Sequence, residues 1–192
     1  KAAGYTFDEA TGKFTAAPEG ASLTYEIMIP GQGQQDHPTY GVAVAASEAL
    51  ATIGITLQVN DVGTAVWNNA LESNTAQMWV AAWNSTADPD MYQVYHSTNA
   101  HGKGTNSNHY QVDDPALDAL IIDGRTSADT EYRKSVYKQA MEIIMDWGVE
   151  LPVYQRKDCT VASTIRVDCD TLPKDMTPYW GWKAEIETLA VK

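Results

Sequence analysis

Hydrophobic positions along this chain switch between a two-residue and a three-to-four-residue period, and that switching predicts an α/β fold. Tyr5 to Phe14 carries Asp8 and Thr11-Gly12, a turn signature between two short aromatic-bearing strands. Leu23 to Ile29 alternates and then turns apolar, predicting a strand that Pro30-Gly31-Gln32-Gly33 ends. Tyr40, Val44, Leu50 and Ile53, set among alanines, predict a helix over Pro38 to Ile53. Gly54 stops it before a strand at Ile55 to Val59. A short helix at Val62 to Leu71 leads to a further strand at Met78 to Trp83.

The second half is more helical. Asn99 to Asn108 is rich in Asn, Gly and Ser and reads as loop. Asp113-Asp114-Pro115 starts a helix, with Asp as its cap and Pro in its first turn, and Leu117, Leu120 and Ile121 give it an apolar face. Thr126-Ser127 with Asp129 opens the longest helix, which ends near Gly148. Tyr132, Val136, Tyr137, Ala140, Ile143, Ile144 and Trp147 recur along it at core spacing. Leu151 to Tyr154 reads as a buried strand. From Cys159 the pattern loosens into short extended pieces broken at Pro173 and Pro178, and Tyr179-Trp-Gly-Trp182 reads as core or as structure crossing between lobes.

One stretch concentrates chemistry. From Trp79 to Ser97 an apolar strand ends in a polar, acid-bearing loop, and an aromatic-rich helical turn, Met91 to His96, follows at once. Open α/β sheets bind small molecules at the carboxyl ends of their strands. Trp79, Trp83, Tyr92 and Tyr95 are suited to stacking on sugar rings or on peptide side chains. Strand alternation places Trp79 and Trp83 on one face, with Trp79 the one expected to belong to the core. Asp88 is open to either ligand contact or capping of the turn at Met91, and capping is favoured for Asp90.

Composition narrows the partners. The 192 residues are 44% hydrophobic and 20% charged, a globular profile rather than a disordered one. Thirteen basic against 25 acidic side chains give 13 − 25 = −12, which excludes a nucleic-acid partner. No run approaches the ~20 apolar residues that a membrane-spanning helix needs. The chain opens at Lys1 without an initiator Met, so it reads as a piece of a longer protein whose N-terminus and any targeting signal lie upstream. Cys159 and Cys169 form no Cys-x-x-Cys pair, against zinc or thioredoxin-type chemistry. They read as free, partly buried thiols, with a hairpin disulfide as the alternative in an oxidising compartment.

Several segments line up with one family. Ser47 to Val59, with Leu50 and Ile53-Gly54-Ile55, resembles the helix-to-strand step of the family 5 extracellular solute-binding proteins, the peptide- and nickel-type receptors of ABC importers. Trp67, then Met78-Trp79 to Trp83 with Asp88-Pro89, is similar to that family's strand and acidic loop. Asp118 and Ile121, followed by Tyr132-Arg133-Lys134 and Tyr137, resemble its helix pair, and Pro152-Val-Tyr154 its next strand. The resemblance runs in order from about Tyr25 to Tyr154 and extends toward Trp182. Each motif is weak alone; their order and spacing carry it.

The resemblance implies a periplasmic-binding-protein-like (type II) lobe, a mixed β-sheet flanked by helices, as a fragment of a larger two-lobe receptor. Residues 1–157 would form most of the second ligand-binding lobe, and 158–192 a tail returning toward the first. It implies a monomer outside the cytoplasm, in a periplasm or lipid-anchored at the outer face of the membrane, that hands cargo to an ABC permease without catalysis and without a cofactor. Carried over residue by residue, the ligand contacts would be the backbones of Ala82 and Asn84, with Trp83, Thr86, Asp88 and Tyr92. In peptide-binding members an Asp three positions after the loop Trp accepts the ligand's ammonium. Here that position is Thr86 and the loop is one residue shorter before Asp88-Pro89, so either Asp88 moves up or no free amine is bound there.

Oligopeptide is the leading cargo, with oligosaccharide or nickel as the alternative. His96, His101 and His109 lie close in sequence and imidazole suits nickel, but their spacing fits no helix face, so they read as water-exposed loop histidines. A glycoside hydrolase domain is a second alternative. Asp88 and Asp90 would sit in one turn rather than face each other across a sugar, as two catalytic carboxyls must. Gly31-Gln-Gly33 lacks the Lys-Ser/Thr ending of a phosphate loop.

Overall fold

The computed structural model describes every residue except Lys1, Ser85, Arg156, Asp158 and Pro178. The chain packs as two compact units, one formed by Lys1–Trp83 with Met91–Ile122 and the other by Asn84–Asp90 with Asp123–Lys192. That partition cuts across the expected ranges 1–157 and 158–192. The expected break at Pro178 falls outside the described residues.

The first unit opens with the hairpin read from Asp8 and Gly12. Strands β1 (Thr6–Asp8) and β2 (Lys13–Ala16) pair antiparallel, and Asp8 closes the turn by accepting from the Ala10 N–H and the Thr11 hydroxyl. Phe7 and Phe14 meet edge to face at 5.0 Å. A separate three-stranded sheet has β3 (Thr24–Ile29) at its centre, with β4 (Thr56–Asp61) on one side and β5 (Met78–Trp79) on the other, all parallel. Both strand directions therefore occur, but in different sheets. Parallel neighbours need crossovers, and the alternating periods supply them as α1 (Tyr40–Thr52) and α2 (Thr64–Glu72).

Helix α1 packs on β4 through small residues. Ala43 is buried and Ser47 donates to the Leu57 carbonyl at 2.6 Å, a close approach that larger side chains would prevent. Gly54 ends the helix at φ +82°, and a Cβ there would come within 2.5 Å of the Phe14 carbonyl oxygen. No other residue combines that backbone with that clearance. Met28, Ile29 and Leu57 form the centre of the sheet's core.

The strand expected over Met78–Trp83 is only Met78–Trp79, extended by one ladder bond from Val80 N–H to the Met28 carbonyl. Apolar character continued beyond it, but ladder pairing did not. Helix α3 (Tyr92–Tyr95) is the predicted aromatic turn, and a 3-10 turn at Ser97–Asn99 follows. Helix α4 (Pro115–Thr126) starts where Asp114-Pro115 indicated, with Asp114 Oδ1 accepting from the Ala116 and Leu117 N–H groups. Leu117 and Ile121 are fully buried, and Leu120 is half-buried. The last turn of α4 belongs to the second unit.

In the second unit, α5 (Thr130–Trp147) is capped by Asp129, which accepts from Tyr132 N–H at 3.0 Å, and closes on Gly148 in the left-handed conformation. Val136, Tyr137, Ala140 and Ile144 are buried, whereas Tyr132 and Trp147, at the ends of the expected stripe, are exposed. Leu151–Tyr154 is not a strand, and Leu151 is 84% exposed. An apolar run becomes a strand only when a ladder partner is present, and the described residues provide none there. The remainder holds 3-10 turns at Cys169–Thr171 and Trp182–Thr188, with a bridge between Val167 and Val191. Tyr179 and Trp180 are exposed rather than core, and so are Cys159 and Cys169, expected to be partly buried. No helix among the described residues is long and apolar enough to cross a membrane.

Candidate functional site

In the first unit a cavity of about 400 Å³ opens beyond the carboxyl end of β5. Helix α2 supplies one side with Trp67, Leu71 and Glu72. The chain leaving β5 supplies Trp79, Ala81, Ala82 and Trp83. The loop before α4 supplies Asn106, His109 and Tyr110. The sheet dictates this placement: β5 departs on the side of β3 opposite β4, so the carboxyl end of β3 is where consecutive crossovers diverge.

One wall is stiffened by stacking. Trp79 lies on Tyr110 at 5.6 Å and 21°, and Tyr110 lies on Tyr95 at 5.5 Å and 12°, so Tyr110 is held between two rings. His109 meets the Trp79 ring edge-on. Trp79 thus acts as half-buried framework, while Trp83 remains 50% exposed at the mouth. Burial pushes the His109 imidazole below its ordinary pKa, opposed by the Glu72 carboxylate and a Leu71 backbone hydrogen bond. The ring is therefore neutral at pH 7. The Trp67 indole N–H is buried with no acceptor among the described residues.

Asn108 anchors the loop that carries His109 and Tyr110. It is fully buried, and its Nδ2 donates to the carbonyls of Val112 (2.8 Å), Tyr95 (3.3 Å) and His96 (3.3 Å) while Oδ1 accepts from Val112 N–H (3.2 Å). Nearby, Asp118 accepts from both the backbone and the hydroxyl of Ser97. His96 is also buried, and its Nδ1 accepts from Thr98 N–H at 3.2 Å. The same nitrogen lies 3.6 Å from Asp118 Oδ1.

The expected contacts divide between the units. Ala82 and Trp83 line the cavity. Tyr92, in the same unit, turns its hydroxyl to Thr98 at 3.1 Å and its ring to His96 at 4.5 Å. Asn84, Thr86 and Asp88 belong to the second unit, where the Thr86 hydroxyl donates to the Asp88 carbonyl at 2.6 Å. Met91, the N-cap residue of the turn that follows, makes no side-chain cap itself. Asp88 pairs with Arg133 Nη2 at 2.7 Å, and Asp90 with Arg125 Nε at 3.2 Å. Arg133 also donates to the Gly124 carbonyl (2.8 Å) and the Tyr137 hydroxyl (3.2 Å), and Asp88 first, then Tyr137, raise its pKa so that it stays charged.

Only part of this was visible beforehand. Trp67, Trp79 and Trp83 were singled out, whereas Leu71, Glu72, Asn106 and Tyr110 were not. Tyr110 had one signal, an aromatic ring in an otherwise small and polar loop. The three loop histidines do not share water-exposed surroundings, since His96 is buried, His109 lines the cavity and His101 is exposed. Among the described residues no three His, Cys, Asp or Glu side chains gather into a group able to hold a metal ion.

The chain's backbone matches solved structures of ABC-importer binding proteins. It aligns with the oligopeptide-binding protein AppA of Bacillus subtilis, solved with a nonapeptide, at TM-score 0.64 and 19% identity over 77% of this chain and 28% of that one. The fold is that of part of a periplasmic-binding-protein-like structure. NikZ of Campylobacter jejuni, solved with Ni(L-His), gives 0.62 and 19% over 77% and 29%, and the periplasmic binding protein DppA of Helicobacter pylori, solved with the peptide STSA, gives 0.55 and 22% over 66% and 24%. The chain thus spans less than a third of each of these proteins. No protein-family description matches it, and no curated relative matches it in sequence.

Proposed function

We propose that this chain is part of the substrate-binding component of an ABC importer, which captures a small solute between two lobes outside the cytoplasm and passes it to a membrane permease. Peptide is the cargo class. The observation that carries this reading is the aromatic-walled cavity at the carboxyl end of β5, in a fold shared with receptors solved with a nonapeptide and a tetrapeptide. Capture would work by the ligand's greater affinity for the closed form, without a chemical step. Ala82 and Asn84 would offer backbone groups to an extended ligand as an added strand does. Trp83 and Tyr92 would supply aromatic surface, and Thr86 a neutral hydroxyl. Asp88 is engaged by Arg133, which favours cargo held at Thr86 without a free ammonium over cargo anchored on Asp88.

The test is native mass spectrometry of the full-length protein purified without added ligand. Masses spaced by amino-acid increments support the reading. A single sugar or metal mass transfers the site to another cargo. A compound that is consumed when added back in excess replaces a receptor with an enzyme.

A further inference from the structure

The cavity's chemistry goes further than its shape and selects a charge. Trp67, Trp79 and Trp83 line it with indole rings, whose π-electron density is negative above the ring plane, and Tyr110, stacked between Trp79 and Tyr95, backs that wall. Among the described residues Glu72 is the one Asp, Glu, Lys or Arg in the lining, and burial disfavours charge on His109. Its backbone carbonyl is taken by Asn106 Nδ2 at 3.0 Å, which fixes the end of α2, while among the described residues its carboxylate has no ion-pair partner. Among the described residues no Lys or Arg lines the space. The whole chain carries −12, so its long-range field also draws cations.

We infer that this cavity is a subsite for a cationic group of the cargo, a guanidinium or alkylammonium end, held against the indole rings and neutralised by Glu72. An anion meets only π-faces, neutral dipoles and a carboxylate. A neutral apolar group would fill the volume but leave Glu72 partly desolvated without a counter-charge, which costs free energy. A flat or spherical cation satisfies the rings and the carboxylate together, as in aromatic cages that hold quaternary ammonium groups. The unpaired Trp67 N–H does not argue for an oxygen-rich guest, because that atom has no exposed surface and a ligand in the cavity does not reach it. Glu72 is then the residue that determines specificity, and the rings determine fit. This rests on the solute-binding reading and names the chemistry of part of the cargo.

Two probes differing only in charge test it, N-butylguanidinium and its neutral isostere N-butylurea. Each is titrated into the full-length protein carrying 5-fluorotryptophan, with fluorine resonances followed for Trp67, Trp79 and Trp83. N-butylguanidinium is expected to shift these resonances saturably and to bind at least about tenfold more tightly than N-butylurea, within the range of a desolvated cation–π contact plus a carboxylate. Glu72→Gln, at an exposed position where the fold is kept, is expected to remove most of that difference, and Glu72→Asp to restore part of it. Equal binding of the two probes, no response to either, or a preference unchanged in Glu72→Gln overturns the cationic subsite. Those results leave the receptor reading standing as long as the native protein still retains a co-purified solute. Loss of that solute, or its chemical conversion, is the separate failure that removes the receptor reading.

Discussion

Asn108 offers the sharpest test of how the cavity wall is built. Its buried amide serves three carbonyls and one N–H, and no other polar side chain in this loop is so completely enclosed. In Asn108→Ala the three carbonyls lose their donor and Val112 N–H loses its acceptor. Two to three net hydrogen bonds at about 1 kcal/mol each, plus about 1–2 kcal/mol for the stranded N–H, give a cost of about 3–5 kcal/mol. Asn108→Asp conserves volume but turns an oxygen toward three carbonyl oxygens. At neutral pH the carboxylate is buried against like partial charges, so the loss should equal or exceed that of Ala. The direction with pH follows. Burial raises the folded-state pKa of that carboxyl above its unfolded value near ~3.9, so the protonated form is favoured in the fold. The penalty therefore appears as pH rises through the folded pKa and shrinks as pH falls back below it. Urea unfolding of wild type and both variants at pH 7.5 and pH 5, with hydrogen exchange at Val112, measures this. An Asn108→Asp variant within about 0.5 kcal/mol of wild type at pH 7.5, the usual scale of a surface substitution, would refute the assigned network.

Three further outcomes follow from the same contacts. A Cβ at Gly124 would lie 2.6–3.1 Å from the Tyr137 ring. Gly124→Ala should therefore destabilise by ~0–2 kcal/mol, overpacking of ~1–3 less a helix-propensity gain of ~1, and should become stabilising in a Tyr137→Ala background. Simple additivity in thermal unfolding would contradict the packing. Arg133→Lys cannot reach Asp88, Gly124 and Tyr137 together, so amide exchange along Thr86–Asp90 should accelerate; unchanged protection means the ion pair does not hold that loop. The depressed pKa of His109 means the unfolded chain takes up its proton first, so stability is lost as pH falls from above the ordinary value of ~6.5 toward the folded one. His109→Gln should lessen the fall in melting temperature between pH 7 and pH 5, and an unaltered slope would assign the acid sensitivity to other groups.

The sequence revealed what is local. Asp8 with Gly12, Asp114-Pro115, Asp129 and Gly148 each act on backbone groups within a few residues, so their turn, caps and helix ends could be read directly. The order of strands and crossover helices followed from the alternating periods, whereas the sheet around β3 is wholly parallel where a mixed one was expected. What escaped depends on residues distant in the chain. Met78–Trp83 is apolar throughout, yet its ladder stops after Val80 because pairing requires a neighbour as well as a pattern. Nothing local to Asp88 and Asp90 announces their ion pairs with Arg133 and Arg125, which come from 45 and 35 residues away. Asn108 sits in a stretch whose composition says solvent, yet it is buried with its amide bonded to backbone carbonyls. Half the cavity was legible as tryptophans at spaced positions. The half contributed by Glu72, His109 and Tyr110 was not, since it exists only once α2 and the loop before α4 close over the end of β5.

The central claim is reversible capture of a solute at the wall that carries Trp83. The most direct measurement is to strip the full-length protein of its co-purified compound by partial unfolding and refolding, and then to titrate that compound back by calorimetry. The account predicts a saturable isotherm near one ligand per protein, full chemical recovery of the compound, and weakening of at least about tenfold in Trp83→Ala with unfolding midpoint preserved. An isotherm identical in Trp83→Ala, or a compound recovered in altered form, would contradict it.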